Sequence, residues 1–383
     1  MTLPYISDIQ LFLAVLVSCA GVIAWLGLAA RLHHARRNAV PVRIHVAGSR
    51  GKTTTARMIG AALRANGKRV LVKTTGTDPM LILPDGSEQP WPRWGPPTIA
   101  EQVRFFREAV RQKADVAVIE SMAIEPEYLW ASEEYLVRAT HAVVTNVRPD
   151  HVEVVGDHPL SAANATALII PRNGQLFVAD EAAVAPILDR ATQCKCQTTI
   201  VPVAGLHHDQ SNRRLALSVC DALGVERSLA EPALDQAGSD PGAFFVAEGS
   251  RAGKRFRFAS AFSCNDTLSL RQLWGENRSD VAPVVLLNAR DDRPARTVAF
   301  IQELARLAPD IELYLAGSVP KHWAVRAGFP KSRIRRLRVS SAAKAIDVLV
   351  EAAGQDGIIW GVGNYSKLGR EIVRVLRSEV RPC

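Results

Sequence analysis

Seven residues, Gly48-Ser49-Arg50-Gly51-Lys52-Thr53-Thr54, constrain the fold of this chain more than any others. Before them, residues 42–47 interleave Val, Ile and Val and read as a strand. After them, an amphipathic stretch over about residues 54–64 reads as a helix closed by Asn66-Gly67, and residues 69–73 read as the next strand. Strand, glycine loop, helix and strand make one crossover unit, which requires a parallel sheet. In that context the glycines let backbone N–H groups approach phosphate oxygens, and the helix N-terminus adds its dipole. Lys52 is placed to reach the terminal phosphates, and the Thr53 hydroxyl to bind Mg²⁺. The longer form of such a loop needs glycine six positions before the lysine, where this chain has Val46, so the loop is the shorter G-x-x-G-K-T form. ATP and Mg²⁺ are the expected cofactors.

Two further stations follow strands. Residues 115–119, DVAVI, lead to Glu120, and residues 141–145, HAVVT, lead to Asn146-Val147-Arg148-Pro149-Asp150-His151. Carboxylates and imidazoles at the C-terminal ends of parallel strands lie in the crevice where open α/β sheets hold ligands. Glu120 reads as a metal ligand or water-positioner, and His151 as a ligand of a second metal or a substrate-positioning group.

The chain also carries an excess of cations: 47 Lys and Arg against 38 Asp and Glu give +9. Nucleic acid, an anionic membrane and an acidic substrate all answer to such a charge. No charged residue occurs over residues 9–30, long enough as a helix (about 33 Å) to cross a hydrocarbon core. Asp8 precedes the run without any Lys or Arg, unlike the basic start of a secretory signal, and Arg31, Arg36, Arg37 and Arg43 follow it. The flank places the N-terminus outside and the rest in the cytoplasm of a cell-membrane, single-pass protein. Those arginines then lie against headgroups. Aromatic–basic motifs for stacked bases are missing, so nucleic acid drops out. Six dispersed cysteines fit a reducing compartment, and the Cys194–Cys196 pair has no second pair at zinc-ligand spacing.

GSRGKTTT, VIESMAIEP and VVTNVRPDH resemble the central domain of the Mur ligases and folylpolyglutamate synthases, ATP-dependent enzymes that join an amino acid to a carboxylate. KTTGT (73–77), TIAEQ (98–102), ESMAIEPEY and SAFSCNDTLS leading to Trp274 extend the resemblance, over essentially the whole chain, to the ATP-using subunit of poly-γ-glutamate synthases (PgsB/CapB type). The resemblance implies a Mur ligase-like P-loop domain with a smaller Rossmann-like α/β domain behind it. It implies that Gly48, Ser49, Arg50, Gly51, Lys52 and Thr54 hold the triphosphate, that Thr53 and Glu120 bind Mg²⁺, and that His151 holds a second metal or the acyl phosphate. Asn212 matches the asparagine at the adenine, Asp266 the acidic residue near the ribose, and Arg293 the arginine of a DR pair that helps close the site. Lys73, Thr74, Thr75, Arg93, Asn146 and Arg290 are candidate substrate contacts, the arginines because their forks match carboxylates. Two departures stand out. Ala167 occupies the place of the carbamylated lysine of many Mur ligases, and Ala243 follows Pro241-Gly242 where the family has arginine.

Beyond residue 235, polar and glycine-rich stretches at 235–242 and 247–253 read as connectors. Strands are expected at 255–262, 284–288, 311–316, 334–339 and 357–361, with helices at 295–307 and 342–353, a smaller open α/β sheet. The chain thus divides into an anchor (1–38), a P-loop ligase domain (39–235) and a C-terminal domain (236–383). Gly361-Val362-Gly363 reads as a turn after the last strand rather than a dinucleotide fingerprint, and residues 91–97 as a loop over the site.

The expected reaction activates a glutamate γ-carboxyl as an acyl phosphate and joins it to the amino group of another glutamate, building poly-γ-glutamate as capsule or exopolymer. One anchor cannot form a channel for an anionic polymer, so an integral membrane partner subunit is expected, and homo-oligomerisation stays open. The competing readings are a folate- or peptidoglycan-type ligase with another substrate, and a membrane-tethered ATPase coupled to transport.

Overall fold

A computed structural model describes residues 8–382 except 77, 94, 149–151, 157, 159, 239–241, 265, 280, 292 and 380. Its first helix, Asp8–Asn38 (α1), has 31 residues and is about 46 Å long. Leu11, Phe12, Leu16, Ile23 and Trp25 along it are exposed, so the helix is long and apolar enough to cross a membrane and its apolar surface is uncovered. Its last turns behave differently. His33 Nε2 lies 2.9 Å from the Leu136 carbonyl, the Arg37 guanidinium donates to the Tyr135 carbonyl at 3.0 Å, and both side chains are buried. Arg43 donates to the carbonyls of Arg138 and Val40. The structure therefore corrects the reading of the basic flank: Arg37 and Arg43 fasten the helix and the following strand to the protein body. Arg31 and Arg36 remain at the surface.

The chain forms two compact units, Met1–Thr75 with Pro79–Gly238, and Gly76–Asp78 with Ser239–Cys383. The first is built on an eight-stranded sheet. Its strands are Val42–Ala47 (β1), Val70–Lys73 (β2), Met80–Ile82 (β3), Glu88–Pro90 (β4), Val116–Glu120 (β5), His141–Val144 (β6), Gln175–Ala179 (β7) and Gln197–Val201 (β8). Their order is β4-β3-β2-β5-β1-β6-β7-β8, parallel from β2 to β8 and antiparallel at β3 and β4. The central strands are mostly apolar because helices cover both faces, and the buried polar group inside β1, His45, is paired with Glu133 at 2.9 Å. On one side Lys52–Ala65 (α2) buries Ile59 and Leu63 with Val70 and Val72. On the other, Glu101–Arg111 (α3) buries Phe105 and Phe106 with Leu71 and Ile119. Each phenylalanine contributes on the order of 1.5–3 kcal/mol by leaving water. Burial pushes the Cys196 thiol up to about 11 and the Cys220 thiol up to about 12, so neither is a thiolate near neutrality.

The second unit is a seven-stranded sheet of Phe245–Arg251 (β9), Lys254–Ala261 (β10), Val284–Asn288 (β11), Glu312–Ala316 (β12), Ile334–Arg336 (β13), Gly357–Gly363 (β14) and Arg381–Pro382 (β15). The order is β13-β12-β11-β14-β10-β9-β15, parallel from β13 to β10, with β9 and β15 antiparallel at the far edge. Residues 247–253, read from sequence as a connector, are instead the second half of β9 and its turn. Ala252 and Gly253 both have positive φ (48° and 77°), the two-residue hairpin turn whose twist suits antiparallel strands. Its Ala-Gly sequence lacks the Asn or Asp that usually announces it. Gly361 and Gly363 lie inside β14 rather than in a turn after it. A Cβ on Gly361 would lie 2.4 Å from the Phe262 ring, so its bare backbone makes room for that ring.

Candidate active site

The C-terminal ends of β1, β5 and β6 lie side by side, with Val46 opposite Glu120 and Ala47 opposite Val144. The glycine loop leaves β1 at this edge and is clamped by the chain beyond β6. Ser49 N–H donates to the Asn146 carbonyl, Arg50 N–H donates to the Asn146 side chain (both 3.0 Å), and the Ser49 hydroxyl donates to the Arg148 carbonyl at 2.6 Å. The Thr145 hydroxyl and Asn146 amide both donate to the Arg50 carbonyl. Thr145 was given no role from sequence, although it opens the TNVRPDH stretch.

Two positions demand glycine. Gly48 has φ 129°, and a Cβ there would lie 2.2 Å from Thr145 Oγ1; Gly51 has φ 78°, and its Cβ would lie 2.2 Å from Asn212 Oδ1. The left-handed turn at Gly51 starts α2 at Lys52, two residues earlier than the hydrophobic pattern indicates. The N–H groups of the first helical turn, which the helix itself does not use, therefore belong to the loop. Such a cradle of backbone donors fits a phosphate chain. Lys52 Nζ is folded back onto the Gly48 carbonyl at 2.8 Å, inside the same cradle.

Glu120 closes the other side. Its carboxylate is 2% exposed and accepts from the Thr53 hydroxyl (3.0 and 3.1 Å) and from the Thr75 N–H (2.6 Å). A buried carboxylate and a hydroxyl converging at the mouth of a phosphate cradle are hard oxygen donors of the kind a divalent cation such as Mg²⁺ takes, so the residues fit such an ion. Thr74 is engaged in the following turn, where its backbone and hydroxyl pair with Met80.

Lys73 and Arg93 were expected to grip a carboxylate, and the structure brings both to the carboxylate of Glu101. Lys73 Nζ lies 3.0 Å from Glu101 Oε2, and Arg93 Nε lies 2.7 Å from Oε1. Lys73 is fully buried, also 5.5 Å from the centre of the buried Trp91 ring, which Arg104 covers at 4.2 Å. Burial lowers the Lys73 pKa, against the pull of Glu101. Burial also pushes the Glu101 carboxyl up, but the Arg93 hydrogen bond and the Lys73 charge outweigh it and hold the group below its usual range. Glu101 sits in TIAEQ, which sequence marked for resemblance without assigning the residue a role.

Other candidates fall in different places. Asn212 is buried on the helix His208–Ala222, where its oxygen accepts from the Thr55 hydroxyl at 3.3 Å beside Gly51. Asp266 caps the helix Thr267–Glu276 in the second unit, accepting from the Ser269 N–H and hydroxyl at 2.7 and 2.8 Å. Arg290 and Arg293 lie in the turn between β11 and the helix Pro294–Leu307. His151 lies outside the described residues. Ala167 is buried in the hydrophobic core and offers no oxygen donor at the position of the family's modified lysine.

Residues 46–199 match the Mur ligase middle domain, and residues 246–379 match the poly-gamma-glutamate synthase CapB C-terminal domain. The chain is an ATP-dependent ligase of the Mur ligase-like fold. It is 29% identical over 384 residues to the PGA synthase CapB of Bacillus subtilis (strain 168), covering 95% of this chain and 97% of that protein. Among solved structures, the Mycobacterium tuberculosis folylpolyglutamate synthase complexed with ADP and AMPPCP shares the fold at a TM-score of 0.67. Its sequence identity is 18%, over 94% of this chain and 98% of that one. A bifunctional folylpolyglutamate synthase/dihydrofolate synthase with Mn, AMPPNP and L-glutamate bound gives 0.62 at 17% identity, over 91% of this chain and 93% of that one.

Proposed function

We propose that this protein is the ATP-using subunit of a poly-γ-glutamate synthase, making an amide bond between the γ-carboxyl of one glutamate and the amino group of another. The observation that carries the chemistry is the Thr53–Glu120 contact at 3.0 Å beside a loop whose Gly48 and Gly51 leave no room for a Cβ. The near full-length similarity to a PGA synthase supports the choice of substrate.

In this reading the loop amides and Lys52 stabilise charge on the γ-phosphate as a carboxylate oxygen attacks it. The bond from that phosphate to ADP breaks as the acyl phosphate forms, and the incoming amine then displaces phosphate to leave the amide. Thr53 and Glu120 hold Mg²⁺, which supplies charge neutralisation at the phosphates. Gly48, Ser49, Arg50, Gly51 and Thr54 orient the triphosphate, and Asn212 buttresses the loop next to the adenine side. Lys73 and Arg93 meet at Glu101 and hold the end of β2 in place, so that Thr75 can hold Glu120. We assign α1 as a cell-membrane anchor with the two units in the cytoplasm, and a separate integral membrane subunit as the path for the polymer.

The test uses membranes carrying the full chain with its membrane partner, incubated with ATP, Mg²⁺ and labelled glutamate. Glutamate-dependent phosphate release with labelled polymer is expected, lost on chelating the metal and lost in Lys52→Ala, while membrane insertion persists. ATP hydrolysis indifferent to amino acids would favour the transport ATPase, and polymer synthesis by Lys52→Ala would overturn the loop assignment.

A further inference from the structure

The net charge of +9 has a specific location that neither the anchor nor the nucleotide site explains. Residues 321–340 contain seven Lys and Arg and no Asp or Glu, so without this stretch the excess over the remaining chain falls to +2. The stretch runs from the helix Lys321–Arg326 to β13, the edge strand at one end of the second sheet. Lys321, Arg326, Lys331, Arg335, Arg336 and Arg338 are all exposed.

The local pairing is what distinguishes this edge. On the opposite side of the sheet, arginines sit on carboxylates: Arg251 on Asp347 and Glu379, Arg255 on Asp356, Arg257 on Glu248. In residues 321–340, among the described residues, only Arg335 has a carboxylate partner, Glu312 at 3.3 Å. Arg333 is held by the Asp310 carbonyl, Arg336 by the carbonyls of Val319 and Gly317, and Lys321 by the Ile334 carbonyl. Carbonyl contacts fix a cation's direction without neutralising it. An edge strand needs charge to discourage pairing with another chain, but one or two charges of either sign suffice for that. A one-signed band on both pleats of the strand and on the preceding helix exceeds that need. Its arginine-rich make-up suits carboxylates, which the planar guanidinium meets with two parallel donors.

We propose that this cationic edge is the docking surface for a polycarboxylate chain, the growing product of the reaction proposed above. A polymer with one carboxylate per residue loses electrostatic contact with the enzyme at each release. The band would retain it between rounds of addition, making elongation processive. The inference rests on the ligase reading for the source of the chain, but its test does not require catalysis.

Fluorescently labelled γ-linked polyglutamate is titrated, without ATP, against the full-length protein in nanodiscs of neutral lipid, with anisotropy as readout. Wild type and Lys52→Ala should bind alike, with affinity falling as salt rises. The combined variant Arg326→Gln, Lys331→Gln, Arg338→Gln should bind about tenfold more weakly, the effect of three exposed charge contacts of ordinary strength. The control Lys68→Gln, Arg107→Gln, Arg172→Gln, which removes equal charge from the first unit, should stay within about twofold, since a charge outside the band acts on the polymer only through a salt-screened field. Equal binding by the edge variant and wild type would overturn the proposal. So would acetylation footprints in which anionic nanodiscs, and not polyglutamate, protect Lys321 and Lys331, an outcome that assigns the band to the membrane surface. If the edge binds polyglutamate but membranes make none, the ligase reading fails alone; if synthesis holds and binding fails, the docking surface fails alone.

Discussion

Lys73 offers the sharpest test of how the active-site region is built, because sequence makes it a substrate grip and the structure makes it half of a buried ion pair. Glu101→Gln would leave the fully buried Lys73 ammonium facing an amide, with the Met122 sulfur at 3.7 Å, the Trp91 ring and the Arg93 cation around it. Breaking a buried pair from one side costs on the order of 3–5 kcal/mol. Glutamine keeps an acceptor oxygen for one of the donors, so the expected cost lies near the lower end, about 3 kcal/mol. Lys73→Met removes the cation instead and leaves Glu101 on Arg93, a loss of about 1–2 kcal/mol. The double variant leaves no unpaired buried charge. It should therefore cost about 2 kcal/mol rather than the sum, a coupling of roughly 2–3 kcal/mol between residues in direct contact. Urea unfolding of the full chain in detergent micelles measures the four stabilities, and hydrogen exchange over β2 reports the local effect. Additivity within about 0.5 kcal/mol would refute the pair. If in addition Lys73→Met left stability intact and raised the KM for glutamate, the lysine would be a substrate grip after all.

Two further outcomes follow from the same geometry. Gly51→Ala forces a left-handed alanine, costing about 1–2 kcal/mol, and drives its Cβ against Asn212. ADP affinity by calorimetry should fall about tenfold or more, and unchanged affinity would show that the turn does not shape the cradle. The Glu101 carboxyl is depressed in the folded state, so its stabilisation is complete above the unfolded value near ~4.3 and is lost as pH falls through the lower folded value. Acid titration of stability should therefore show a loss below about pH 4 that Glu101→Gln removes, and an identical profile in the variant would refute it.

The parts of the site that were legible in sequence are those made by neighbours along the chain. Gly48 to Thr54 announce themselves because a strand, a turn with positive φ and a helix start must follow one another directly. Glu120 is legible because a carboxylate ending an apolar strand has few other places to be in a parallel sheet. Glu101 was not, because nothing in a helix's first turn says which cation lies beneath it. The β9–β10 hairpin was missed for a related reason: its turn is Ala252-Gly253, and antiparallel pairing supplied the order that local turn chemistry did not announce.

The amino-acid order by itself determined the α/β class, the phosphate loop, the apolar helix and the excess of cations, since periodicity, glycine and charge act over a few residues. Tertiary structure decided what those features are attached to. Thr53 meets Glu120 across 67 residues, Thr55 meets Asn212 across 157, and Arg37 leaves the membrane flank for a carbonyl 98 residues away. It also separated paired arginines from the band at residues 321–340, where among the described residues only Arg335 meets a carboxylate, because a cation's effective charge depends on whether a carboxylate stands within about 4 Å, and only the folded chain fixes that distance.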